Sequence, residues 1–135
     1  MPARKIRPVR VARAVLFDTS FFIDLEREIQ IGQPGSAAGF LERHRAHPKR
    51  VATVTIGEFA IGSNDAALRR FFRGYLPLAL GREDAIFAGQ LQARLPFEMG
   101  EKDLWIAGLA LRHGEPLVTR DGDFSRVPGL RVLGY

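Results

Sequence analysis

The feature that most constrains this chain is a set of apolar runs that are short, continuous and regularly interrupted. Ala14-Val15-Leu16-Phe17 shows no polar alternation and stops at Asp18. A run of this kind suits a strand buried on both faces, as found in parallel sheets covered by helices on each side. Val51 to Thr55 reads as a second strand, Leu117-Val118-Thr119 as another, and Leu130 to Leu133 as the last. Leu76 to Leu80 contains Pro77, which removes a ladder donor and restricts that strand to an edge. Between the strands the apolar spacing changes to that of helices. Phe21, Phe22, Leu25 and Ile29 predict a helix from near Ser20 that Gly32 to Gly35 breaks. Ser36 to about His47 predicts a second, stopped by Pro48. Ile56 to Ile61 reads as a short helical turn. A helix capped by Ser63 or Asn64 follows, carrying Leu68, Phe71, Phe72 and Tyr75 on one stripe. Glu83 to Leu95 and Asp103 to Arg112 complete the set, the latter apolar nearly all round and closed by Gly114. Strands alternating with helices argue for an α/β fold around a parallel sheet.

Charge divides the chain in two. Residues 1–13 carry Arg4, Lys5, Arg7, Arg10 and Arg13 with no acid, and have no apolar period. They read as a basic arm. The net charge of +5 is accounted for by that arm, because residues 14–135 hold 15 basic against 15 acidic residues. The 135-residue length allows one domain, 14–135, with a core that needs no staples. The absence of cysteine excludes disulfide frameworks and thiolate metal sites. No stretch reaches the roughly 18–20 apolar residues of a membrane span. The apolar run after the basic arm is shorter than the roughly 7–15 residues of a secretory leader. A cytoplasmic location is therefore expected.

In open parallel sheets ligands bind beyond the carboxyl ends of the strands. Sorted by that rule, the acids give a short set. Asp18 ends the first strand, Glu58 follows the second by one turn, and Asp121 and Asp123 follow Leu117-Val118-Thr119. Asp103 opens the apolar helix that leads into that strand. Each has a plain structural reading: Asp18 as a helix cap, Glu58 as a solvated side chain, Asp103 as a first-turn acid favoured by the helix dipole, Asp121-Gly122 as a turn. Together they are unfavourable, since two carboxylates about 4 Å apart repel by about 4 kcal/mol at an effective dielectric of about 20. Protons or cations relieve such a cluster. No Lys or Arg accompanies Asp18 or Glu58 locally. All-oxygen ligands suit Mg²⁺ or Mn²⁺ rather than Zn²⁺, and two such ions support phosphodiester cleavage.

Other features carry less. His44, His47 and His113 lack ligand partners at helical spacing and read as surface or structural, and Trp105 reads as core. A phosphoaspartyl enzyme is disfavoured: it needs a second acid beside Asp18 and a late lysine, whereas Thr19-Ser20 follow Asp18 and the lysines are Lys5, Lys49 and Lys102.

Four segments resemble the PIN-domain ribonucleases, and more closely their VapC-type toxins. They are Val15-Leu16-Phe17-Asp18-Thr19-Ser20 with the following helix, Thr53 to Gly62 around Glu58, Asp103-Leu104-Trp105-Ile106-Ala107-Gly108, and Leu117 to Phe124 with Val127-Pro128-Gly129-Leu130. The resemblance spans residues 14–135. It implies a three-layer α/β/α fold and an endonuclease that cleaves single-stranded or loop RNA with Mg²⁺ or Mn²⁺. Carried over, Asp18, Glu58, Asp103 and Asp121 form the acidic quartet, with Asp123 a competitor for the fourth place. Thr119 and Ser20 are hydroxyls that steady the carboxylates. The resemblance also implies a homodimer, a cognate antitoxin whose tail wraps the toxin, and higher assembly with it. The alternative is a catalytically silent PIN-like module that binds RNA or protein. Gly108 departs from the alanine usual there, and nothing in the motifs explains the basic arm.

Overall fold

The computed structural model describes residues 13–135; the basic arm, Arg13 excepted, lies outside the described residues. Five parallel strands form one sheet in the order β3-β2-β1-β4-β5. They are β1 (Val15–Phe17), β2 (Lys49–Ala52), β3 (Tyr75–Leu78), β4 (Leu117–Val118) and β5 (Val132–Leu133). The helices are α1 (Thr19–Ile31), α2 (Ser36–Arg43), α3 (Thr53–Ala60), α4 (Asp65–Phe71), α5 (Arg82–Arg94) and α6 (Glu101–His113), with a 3-10 turn over Gly122–Arg126.

β1 sits at the centre, and its alternation divides the core. Val15 and Phe17 point to one face, where Phe21, Phe22, Phe40, Phe72 and Tyr75 form an aromatic cluster under α1, α2 and α4. Phe17 meets Phe21, Phe40 and Tyr75 at ring separations of 4.5, 5.8 and 5.6 Å. Tilted and edge-on rings at these distances are favourable beyond their burial alone. Leu16 points to the other face, where Leu117 and the apolar sides of α5 and α6 cover it. The result is the expected three-layer α/β/α arrangement. Among the described residues no helix is long and apolar enough to cross a membrane.

The structure moves several boundaries, each for a physical reason. Strand two is Lys49–Ala52, not Val51 to Thr55. Its neighbours end with Phe17 opposite Val51 and Leu78 opposite Ala52, so no ladder remains for Thr53 to Thr55. The chain turns into α3 there instead. Tyr75 is not on the fourth helix's stripe: Gly74, at φ +89°, reverses the chain, and Tyr75 begins β3. The second helix stops at Arg43 rather than His47, because the Pro48 carbonyl must turn back to accept the Val15 N–H. α6 starts at Glu101, two residues before Asp103. β3 is an edge strand, as Pro77 requires, and Gly114 closes α6 at φ +62°.

Candidate active site

Asp18 stands at the carboxyl end of β1, at the crevice edge where strand order changes direction. It occupies the N-cap position of α1, yet its side chain makes no cap hydrogen bond; the turn is closed by the Phe21 N–H donating to the Asp18 carbonyl. Only 3% of the residue is exposed. Its Oδ2 accepts from Ser20 Oγ and from Thr119 Oγ1, both at 2.9 Å. Its Oδ1 is buried and has no partner. A buried carboxylate oxygen left without a donor costs on the order of 1–3 kcal/mol or more. The Thr119 hydroxyl also accepts the Asp121 N–H at 3.0 Å, which ties the loop after β4 to the end of β1. Ser20 and Thr119 thus both donate to one oxygen of Asp18.

Glu58 does not point freely to solvent. It lies on the second turn of α3, partly buried, and Thr19 Oγ1 donates to its Oε1 at 3.3 Å. Thr19 is in turn 3.0 Å from the hydroxyl of the buried Thr55. This pair escaped the sequence reading, although Thr19 stands beside Asp18. Lys102 was also missed. It comes from α6 to place its ammonium 3.4 Å from Glu58 Oε2, so Glu58 has a cation that its own segment does not supply.

Asp103 is the third residue of α6 and half-buried. Burial, and then the charges of Asp18, Asp121, Glu58 and Asp123, push its carboxyl up to about 6. All five acids singled out in the sequence therefore share one field. Asp121 acts on Asp103 more strongly than Asp123, which is exposed. The turn reading of Asp121 is realised as well: its Oδ1 accepts the Asp123 N–H at 3.0 Å and caps the 3-10 turn. Among the described residues, no group of three or more His, Asp or Glu side chains is already drawn into ion-ligating geometry. The donor set still fits a hard divalent cation, being all oxygen, with one buried carboxylate oxygen unpartnered.

Beside Glu58 a groove of about 540 Å³ runs between α1, α3 and α4, lined by Thr19, Ile23, Glu26, Phe59, Leu68 and Phe71 among others.

Comparison with known proteins agrees with this fold. The chain superposes on VapBC2 of Rickettsia felis bound to a promoter DNA fragment with a TM-score of 0.75 at 20% identity, covering 90% of this chain and 98% of that one. The DNA-bound VapBC of Salmonella typhimurium gives 0.73 at 22% identity, over 93% and 98%. A toxin–antitoxin complex from Klebsiella pneumoniae gives 0.67 at 23% identity, over 89% and 96%. At these identities the likeness is one of fold. A sequence search of curated proteins returns no match. The family model of the PIN domain matches residues 15–130, nearly the whole of the sheet and its helices, and the chain belongs to the PIN-domain family.

Proposed function

We propose that this chain is a divalent-metal-dependent endoribonuclease that cleaves single-stranded or loop RNA, acting as the toxin of a toxin–antitoxin pair. The observation that carries the reading is Asp18: a buried carboxylate, fixed by two hydroxyls on one oxygen and unpartnered on the other. An acid used only to start a helix would cap it, and this one does not. Asp18 and Asp103 are the principal ligands in this proposal, with Glu58 and Asp121 completing the quartet and Asp123 in reserve. When bound, Mg²⁺ or Mn²⁺ would stabilise charge on the phosphodiester and make a water easier to deprotonate to the attacking hydroxide. The chain's own residues do the rest. Ser20 and Thr119 hold Asp18 in one rotamer, Thr19 orients Glu58, and the Thr119–Asp121 contact fixes the β4 loop against β1. Such supporting bonds are the precision that a metal site needs.

The toxin role is supported by the fold likeness to VapBC and other toxin–antitoxin structures. The partner is then a cognate antitoxin, and we place its tail in the groove beside Glu58, where Ile23 and Phe59 offer apolar contact and Glu26 and Glu58 offer charge. A homodimer and a cytoplasmic location complete the proposal.

The test is cleavage of RNA with Mg²⁺ and with EDTA, alongside Asp18→Asn and Asp103→Asn. Loss of cleavage with EDTA and in both variants is expected. Full activity in either variant overturns the site assignment. A protein that titrates Mg²⁺ by calorimetry yet cleaves no RNA is the silent module instead.

A further inference from the structure

A polyanion faces a difficulty here that the acid cluster does not solve. Five carboxylates gather at the carboxyl edge of the sheet, and a nucleic acid strand must cross them. Ions between the acids would remove the repulsion, but they would not hold the strand on either side. Fixed positive charge next to the cluster does that.

Two cations stand at its flanks. Lys102 precedes Asp103 on α6 and rests on Glu58, beyond β2, with 65% of its side chain exposed. Arg120 lies between Thr119 and Asp121, beyond β4, with 52% of its side chain exposed. β1, which leads into Asp18, runs between those two strands. The cations therefore sit on opposite sides of the central acid. Each is held by one long contact: Lys102 Nζ to Glu58 Oε2 at 3.4 Å, and Arg120 Nη1 to Asp24 Oδ1 at 3.3 Å. An ammonium has three donors and a guanidinium five, so most of their capacity faces solvent. The other oxygen of Asp24 accepts the Tyr135 hydroxyl at 2.6 Å. Asp24 and Tyr135 thus form a mount that keeps Arg120 at the rim. Arg126 is also exposed but lies over the Phe97 ring at 3.9 Å, which occupies its planar face.

We infer that Lys102 and Arg120 hold the phosphates on either side of the reacting one, so that a single strand crosses the carboxyl edge from the β2 flank to the β4 flank. This inference rests on the nuclease reading of the same site. Both contacts are to the backbone and specify no base; they set where the strand lies. A substrate that lacks a phosphate on one flank loses one of the two.

The experiment measures binding, apart from chemistry. A fluorescent single-stranded RNA of about 12 nucleotides is titrated by anisotropy into the Asp18→Asn protein with Mg²⁺, at salt from about 50 to about 300 mM. Each phosphate contact on a single strand contributes about 0.7 to the slope of log affinity against log salt. Lys102→Ala and Arg120→Ala each lower that slope by about 0.7 and weaken binding about fivefold near 0.1 M salt, and the double variant loses about 1.4. Lys102→Arg and Arg120→Lys keep the slope, which a purely structural role does not require. An unchanged slope in the double alanine variant overturns the inference, as does an Asp18→Asn protein that binds no RNA at low salt. Failure of the nuclease reading shows elsewhere, as undiminished cleavage by Asp18→Asn.

Discussion

Asp84 and Asp103 occupy the same place in two neighbouring helices. Each is the third residue of a 13-residue helix that begins after a glycine, Gly81 for α5 and Gly100 for α6. Their surroundings are opposite. Asp84 is buried, which alone raises its pKa. The Gly81 N–H at 2.8 Å, His113 at 3.3 Å and Arg112 at 2.9 Å outweigh that and hold it below the usual carboxylate range. Asp103 has no side-chain cap bond, and it is pushed up to about 6 by burial and four other acids. Helix position does not decide what a first-turn acid does. Its partners across the packing do: one acid stabilises the fold, while the other is kept in a state the fold alone does not favour.

The contrast can be broken in four ways, and the largest effect is on activity. On the proposed function, Asp103→Asn should lower RNA cleavage by about 100-fold or more, since losing a metal ligand would remove several kcal/mol of charge stabilisation. Asp84→Asn, compared at a temperature where both proteins are folded, should stay within a few-fold of the parent in the same assay. Equal losses in the two would erase the distinction.

Stability should reverse the ranking. Asp84→Ala removes the shared partner of Arg112, His113 and Gly81, and should cost about 3 kcal/mol in urea denaturation. Next comes the contact that sets the two helices together. A Cβ built on Gly108 lies 2.7 Å from the Ala88 Cβ and 3.2 Å from its Cα. Gly108→Ala should therefore cost about 1–3 kcal/mol by overpacking, and Ala88→Gly in the same chain should recover part of it. An additive double variant would show that the helices do not touch there.

The smallest effect depends on pH. Asp103 binds its proton more tightly folded than unfolded, so its penalty is absent below the ordinary carboxylate range. The penalty grows as pH rises and is complete above about 6. Asp103→Asn should accordingly stabilise the metal-free protein at pH 8 by about 1 kcal/mol, a figure reduced for solvent screening of a half-exposed group, and leave it unchanged near pH 4. Asp84 has the opposite sign: its contribution is present above the ordinary carboxylate range and lost as pH falls through its depressed value. Thermal melts of both variants in EDTA across pH 4–8 measure the two signs side by side.

The parallel sheet and its flanking helices were legible in the sequence because the apolar runs are short and unalternating, as double-sided burial demands. Where the reading failed, tertiary partners overruled local preference. Thr53 to Thr55 favour a strand by residue type, but no neighbouring strand extends that far, and they became helix. Tyr75 matched the helical stripe in spacing, yet Gly74 had already turned the chain. The acids were singled out from strand ends and, for Glu58 and Asp103, from the helices beside them, and the charges of the other four raise Asp103. Its neighbours were not. Lys102 meets Glu58 across 44 residues, and Asp24 meets Tyr135 across 111. No local pattern records contacts of that span.

The clamp on Asp18 has a consequence for how the protein is made. One of its two donors, Ser20, is two residues away, and the other, Thr119, is 101 residues away. β1, around which the sheet is built, leaves the ribosome well before β4 and the Thr119–Asp121 loop. A growing chain that stops short of Thr119 carries Asp18 and Glu58 but cannot lock the first or supply Asp121 beside it. The clamp on Asp18 thus closes only after β4 and the loop that follows it have been translated.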